Sequence, residues 1–274
     1  MTGLLARFRG EWLDGPLPMI VEYAADAPEN ICAAPSLWMG GRLVAKALAA
    51  EGIGPGDRVS FAGLSRVCWV QTLIGSLRRS ACFDCSNEPS ARARAQVIVD
   101  DRLELTITST ARGSVDAGAR LAFDGDVTLS EADIEALAVD ARALLDGSYE
   151  RVATHGEWGD WRVFACEVLG PLCQGREIHV VSAQTRASQL EEQGSLPQFM
   201  TRRTRRRWAH DPLFSRELEL CIAFDDDDDD DDDDDHAADF PDWCAAGPHG
   251  SEQRFRSAAT SLAPPRIGWA GAAG

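Results

Sequence analysis

Short apolar runs separated by helical segments of ten or so residues dominate the chain between Leu37 and Ser182, and this alternation constrains the fold more than any other feature. Leu37, Leu43, Val44, Ala47 and Leu48 fall close to helical spacing, and the helix stops at Gly52. Ile53-Gly54-Pro55-Gly56-Asp57 is then a turn with three breakers, followed by a short buried strand, Arg58 to Ala62. Val67 to Leu77 reads as a second helix and Ala81 to Phe83 as a second strand. Residues 89–99 suit a helix with Pro89 in its first turn, and Leu103 to Thr108 alternates like a strand. Residues 109–126 form a loop or hairpin. Ser130-Glu131-Ala132-Asp133 is a capping-box pattern with Asp in place of Glu, opening a helix through Leu145. Arg151–Thr154 is a strand, Val163 to Leu172 a helix and Glu177 to Ser182 a last strand. Residues 1–30 are mixed, with a helical stretch from Leu4 to Trp12. Strands alternating with helices predict an α/β fold, a mostly parallel sheet with flanking helices.

The expected organisation is an α/β domain over residues 1–195 and a charged, mostly disordered tail over 196–274. The tail holds the basic cluster Arg202-Arg203-Thr204-Arg205-Arg206-Arg207 and eleven consecutive aspartates, Asp225 to Asp235. Like-charge blocks repel themselves and do not fold alone. They also distort the net charge of −17: residues 1–198 hold 18 basic and 27 acidic groups, a net of −9. A mildly acidic body argues against a general nucleic-acid binder, which needs a basic face for phosphates. No run of about 18–20 apolar residues offers a membrane span, and the first twenty residues lack the unbroken apolar stretch of a signal peptide. The expected location is the cytoplasm.

The chain has 26 Arg and one lysine, Lys46, which lies in the first helix before the turn and reads as a solvated helix residue. Eight cysteines are scattered through apolar runs, as small buried hydrophobes are. Cys82-Phe83-Asp84-Cys85 has the spacing of a redox pair or half a zinc site. It runs into a loop and has no second ligand pair, so structural thiols are expected. The five histidines are dispersed and no G-x-S-x-G occurs, so no nucleophilic triad is assembled. His155 with Glu157 and Asp160 is the densest titratable cluster outside the charged tail, read as a polar loop between strand and helix. His179, inside a strand, is read as a hydrogen-bonded core residue. The aspartate run lacks the glycine and ordered spacing of a calcium loop.

Four stretches in order resemble the large N-terminal domain of adenylate-forming (AMP-binding) enzymes, which include acyl-CoA synthetases, luciferases and peptide-synthetase adenylation domains. Leu43 to Val59, with Gly54-Pro55-Gly56-Asp57-Arg58-Val59, resembles that family's helix-turn-strand. Leu77 to Asn87 is similar to its "L.AGA.Y.P.NP" segment, Val97 to Ser109 to the following helix and strand, and Glu167 to Val181 to "E....PL..G...VV". The resemblance covers about residues 35–183 and implies activation of a carboxylate by attack on the α-phosphate of ATP, with Mg²⁺ and pyrophosphate release. It also implies a phosphate loop ending in P-K-G between Thr108 and Ser130. If Gly125 matches that final glycine, the lysine position is held by Asp124, and a carboxylate there repels triphosphate. The ribose-binding Y-x-T-G-D and the lid with a second catalytic lysine have no counterpart, and Arg162 stands where the amino-acid-activating branch has an aspartate. The expectation is therefore a degenerate, non-catalytic relative that binds a small carboxylate or acyl ligand, or a partner protein. No residue is assigned a catalytic, cofactor-binding or metal-ligating role, and no cofactor is expected. The alternatives are a divergent ATP- and Mg-dependent ligase, or an inert gene remnant.

Overall fold

A computed structural model describes residues 3–14, 17–24, 27–86, 93–99, 105–109, 118–124, 127–144, 149–182 and 220–222, and between them 184–186, 190, 194, 197–201 and 204. The chain is α/β, as the alternation predicts, but its described strands form two six-stranded sheets rather than one. The first sheet contains β1 (Met19–Ala24), β2 (Ala27–Ala33), β9 (Arg151–Thr154), β10 (Glu177–Val180), β11 (Phe199–Thr201) and β12 (Leu220–Ile222). Its order is β12-β11-β9-β10-β1-β2. The second holds β3 (Arg58–Ala62), β4 (Cys82–Asp84), β5 (Ala95–Val99), β6 (Leu105–Ser109), β7 (Ala119–Ala122) and β8 (Thr128–Ser130), in the order β6-β5-β3-β4-β7-β8. Most pairings are parallel; β1–β2, β5–β6 and β7–β8 are antiparallel.

The helices are α1 (Gly3–Asp14), α2 (Ala34–Ala50), α3 (Arg66–Arg78), α4 (Glu131–Leu144), α5 (Trp161–Phe164) and α6 (Gly170–Gln174). A π-helical turn, Ala165–Leu169, joins α5 to α6. Local chemistry explains it. Pro171 has no amide to donate to the Glu167 carbonyl, and the Gly170 N–H reaches back five residues to the Ala165 oxygen. The capping box forms as read: the Asp133 N–H donates to Ser130 Oγ (3.3 Å) and the Ser130 N–H to Asp133 Oδ2 (2.9 Å).

Period-two patterning places the cores. Ile20 of β1 and Ile178 of β10 are register partners in the core that α1, α3, α4 and the 161–174 segment share with Phe83 and Leu121 of the second sheet. Val21 and Ala153 turn to the opposite face with Tyr23, Val181 and Met200. Behind the second sheet, Val44 and Leu48 of α2 pack on Val59, Ala81, Ala95 and Val97. Trp69 of α3 joins the layers, edge-on to Phe83 at 4.8 Å and to Trp158 at 4.7 Å between ring centroids.

One sequence expectation is corrected, and two further segments supply strands that the sequence reading did not assign. The helix expected over 89–99 is strand β5 from Ala95 to Val99; residues 89–92 lie outside the described residues. Ala95, Val97 and Val99 are buried while Gln96 and Ile98 are partly exposed, so pairing with β3 on one side and β6 on the other overrides the helical preference of an Ala/Arg-rich run. Residues 19–33 supply β1 and β2, and β1 is recruited by β10 more than 150 positions away. Past residue 195, the first sheet takes in Phe199–Thr201 and Leu220–Ile222. The aspartate run, and the arginine cluster apart from Thr204, lie outside the described residues. Among the described residues, no helix is long and apolar enough to cross a membrane.

The turn before β3 shows why its sequence is so recognisable. Gly56 adopts φ +81°, the Asp57 N–H donates to the Gly54 carbonyl (3.1 Å), and Asp57 Oδ2 accepts the Gly54 N–H (2.9 Å). Gly56→Val forces a β-branched residue into left-handed backbone, at a cost of about 1–3 kcal/mol. The expected outcome is a lower midpoint in chemical denaturation. Asp57→Asn keeps an oxygen for the Gly54 amide and loses the charge that pairs with Arg94 at 2.6 Å, so it should shift the midpoint less. A Gly56→Val midpoint equal to wild type would remove the structural role assigned to the turn.

Candidate functional site

In open α/β sheets, ligands bind outside the carboxyl ends of the parallel strands. On the first sheet those ends present Glu22 (β1), Thr154 and the 155–160 loop (β9), Val181–Ser182 (β10) and Thr201 (β11). The loop is held by its first residue. Thr154 Oγ1 accepts from the Gly156 N–H (2.9 Å) and from Trp158 Nε1 (2.8 Å), which closes a tight turn. Gly156 has φ +74°, and the Arg66 side chain lies where a Cβ would project. The Arg66 guanidinium sits 5.6 Å over the Trp158 ring. Burial pulls its pKa down, partly opposed by Glu22. Asp160 ends the loop by capping α5, accepting the Arg162 N–H at 2.8 Å.

Across this loop, Glu22 fastens α3. One carboxylate oxygen accepts the Arg66 and Val67 backbone amides, the other the Ser65 hydroxyl (3.1 Å) and the Asn30 side-chain amide (2.8 Å). A carboxyl group at a helix N-terminus satisfies amides that would otherwise be unpaired.

Beneath the loop lies a fully buried carboxyl. Glu167, in the π-helical turn, accepts through one oxygen the Thr201 N–H (3.3 Å), the Thr201 hydroxyl (2.6 Å) and the Thr204 hydroxyl (2.7 Å). Burial raises its pKa, while the Thr154, Thr201 and Thr204 hydroxyls hold it down. One carboxyl thus joins the π-helical turn to β11 and to the chain beyond it.

Of the residues singled out in the sequence, His155, Glu157 and Asp160 do fall together at this edge, and Asp124 joins them: its N–H donates to the Gly159 carbonyl at 3.0 Å. Most of the loop that precedes it, residues 110–117, and Gly125 lie outside the described residues. Lys46 is exposed on α2. His179 is buried and hydrogen-bonded as expected, with Nδ1 3.0 Å from the Tyr23 hydroxyl and Nε2 3.1 Å from Glu177. Burial lowers its pKa against the opposing pull of Glu177. Cys82 and Cys85 are both buried. Burial, with Asp84 and Cys82 beside it, pushes the Cys85 thiol well above its ordinary value, the opposite of a reactive thiolate. Among the described residues, no group of three or more His, Cys, Asp or Glu is placed to hold a metal.

Sequence reasoning missed Arg66, Trp158 and Glu22. The available signals were the Ser65 N-cap ahead of Arg66 and a glycine directly after His155; Glu22 gave none, because the helix amides it fastens lie more than forty residues on.

No protein-family model matches the chain, and no curated protein matches it by sequence. Solved structures do match in fold. The Brucella canis acyl-CoA synthetase superposes with a TM-score of 0.59 at 14% identity, over 81% of this chain and 52% of that one. The inhibitor-bound N-terminal domain of FACL13 from Mycobacterium tuberculosis gives 0.58 at 16%, over 81% and 70%. A fatty acyl-adenylate ligase from L. pneumophila, in complex with acyl adenylate and pyrophosphate, gives 0.56 at 13%, over 72% and 44%. The chain spans roughly half the length of such structures, 44%, 62% and 50% of three of them. The fold is therefore a partial version of the one that adenylate-forming ligases adopt. At these identities the likeness establishes architecture; the chemistry rests on the residues present.

Proposed function

We propose that this chain is a non-catalytic protein built on the adenylate-forming scaffold, which binds a small carboxylate or acyl ligand, or a partner protein, without adenylating it. The supporting observation is Asp124. By the sequence resemblance it stands where the phosphate loop carries lysine, and its backbone is bonded to Gly159 beside the candidate crevice. Glu157 and Asp160 lie in the same loop. Charge developing on a transferred phosphoryl group needs cations and oriented donors at that point. A carboxylate opposes it.

The second reading, a divergent carboxylate-activating ligase using ATP and Mg²⁺, draws support from Arg66, a cation held over Trp158 at the same strand ends. Pyrophosphate exchange across a panel of carboxylates separates the two readings: no exchange with any of them supports the first, and robust exchange with one supports the second. A thermal shift measured with millimolar MgATP should change the melting temperature by less than about 1 °C, since stabilisation follows ligand concentration over Kd. A rise of several degrees that disappears without magnesium would overturn the non-catalytic reading.

A further inference from the structure

Away from the strand ends, α1, α2 and α3 meet around Trp38. Its ring is edge-on to Trp12 at 6.0 Å, and the Arg78 guanidinium lies 4.6 Å over its face. Arg42 is one helical turn beyond Trp38 on α2, with Nη1 4.0 Å from Met39 Sδ, and Arg9 is one turn before Trp12 on α1. Neither α2 nor α3 contains an acidic residue. Among the described residues, no carboxylate pairs with Arg9, Arg42 or Arg78, and Arg78 Nη1 is buried with no hydrogen-bond partner. Burial, then Arg42, then Arg9 lower the Arg78 pKa, the signature of cations crowded without a counter-charge. Lys46, exposed one turn after Arg42, extends the basic strip. In a protein of net charge −17, three guanidiniums around Trp38 with no described carboxylate partner offer a place for an anion.

We infer that the Arg9–Arg42–Arg78 cluster over Trp38 is a docking site for a polyanionic peptide, and that its occupant is this chain's own Asp225–Asp235 run. Charge complementarity selects that occupant: it is the one long like-charged acidic block in the sequence. Reach permits it. Asp225 begins three residues after the end of β12, and α2 follows β2 at the opposite edge of the same sheet. Five strand spacings amount to about 24 Å, and because β2 runs antiparallel to β1, α2 starts at the other end of the strands, so the path is about 30 Å or more. The thirteen residues 223–235 span up to about 45 Å when extended, so the first aspartates serve as tether and the last few reach the cluster. Docking would give the three guanidiniums counter-charges and cover the Trp38 edge.

The test uses the full chain and a full-length variant with Asp225–Asp235 changed to asparagine, probed with a fluorescein-labelled eleven-residue oligo-aspartate by anisotropy. The peptide should bind the asparagine variant at least tenfold more tightly than wild type, whose site is already filled. That binding should weaken steeply between 50 and 300 mM NaCl, and vanish when Arg9, Arg42 and Arg78 are changed to glutamine in the same background. Arg78→Lys, which keeps charge and fold but loses the planar stack on Trp38, should weaken it several-fold. Equal binding to wild type and the asparagine variant would overturn the intramolecular occupant. No binding to either, or tighter binding of inorganic phosphate or a single-stranded oligonucleotide than of the peptide, would overturn the site as an acidic-peptide dock.

Discussion

Trp69→Ala should lower the melting temperature by roughly 10 °C, the largest effect expected from a single substitution in this protein. Trp69 is 3% exposed and sits between Phe83, Trp158 and Phe164, with centroids 4.8, 4.7 and 6.2 Å away. Removing a buried tryptophan costs about 3–5 kcal/mol, the lost transfer energy plus the cavity. In a domain of roughly 200 residues, each kcal/mol moves the melting temperature by about 2–4 °C. The damage should also reach the candidate crevice, because Trp158 leans on Trp69 and itself donates to Thr154 at the foot of the 155–160 loop. Hydrogen exchange of the Gly156 amide should therefore speed up in Trp69→Ala. Trp69→Phe, which retains an aromatic edge, should lose less than half as much. Unchanged exchange at Gly156 in a destabilised Trp69→Ala protein would show that loop and core are uncoupled.

The second large effect belongs to Glu167. Changing it to alanine strips the acceptor from the Thr201 N–H and from the Thr201 and Thr204 hydroxyls, all buried. Orphaned buried donors cost about 1–3 kcal/mol each. Part of that is offset by removing a carboxyl whose burial is itself unfavourable, so a net loss of about 2–4 kcal/mol is expected. Glu167→Gln keeps an oxygen for the same donors and should be far milder. The pH dependence has a definite sign. The folded-state pKa of Glu167 is raised by burial, so the folded protein holds that proton more tightly than the unfolded chain. Its contribution is greatest below the unfolded value of about 4.3 and declines as pH rises from there through the raised folded value. Wild type should therefore lose stability relative to Glu167→Gln as pH increases across that window, in paired urea titrations. A difference that is flat with pH would mean the carboxyl is not perturbed. Glu167→Ala melting like wild type would mean that the chain beyond β11 is anchored by something else.

Both effects depend on contacts that the sequence shows only in part, and the division follows the range of the forces involved. Signals carried by neighbouring residues were legible. Gly56 at positive φ with Asp57 closing the turn, Ser130 and Asp133 exchanging amides, and the apolar periodicities of α2 and α3 are satisfied within a few residues. The strand limits Arg58–Ala62 and Arg151–Thr154 follow from runs bounded by turns. The same locality made the loop at His155 recognisable as a titratable cluster. It also misled at β5: Ala-rich sequence favours helix until two neighbouring strands take up its amides and carbonyls.

What the tertiary structure alone decided is who neighbours whom across long separations. Two sheets form instead of one because helices α3 and 161–174 carry apolar residues facing both Ile20 and Ile178 on one side and Phe83 and Leu121 on the other. β1 pairs with β10 and β11 with β9, partners that lie far along the chain from β1 and from β11. Glu22 meets the first amides of α3, and Glu167 meets threonines 34 and 37 positions away. A buried carboxyl is tolerable only where such donors converge, and no spacing rule along the chain encodes that convergence. Arg66 likewise reads as an ordinary helix residue until Gly156 and Trp158 close over it. Backbone chemistry acts between neighbours and is written in order along the sequence. The pairing of buried polar groups is settled by the folded geometry, where low polarity makes an unmatched partner too costly to keep.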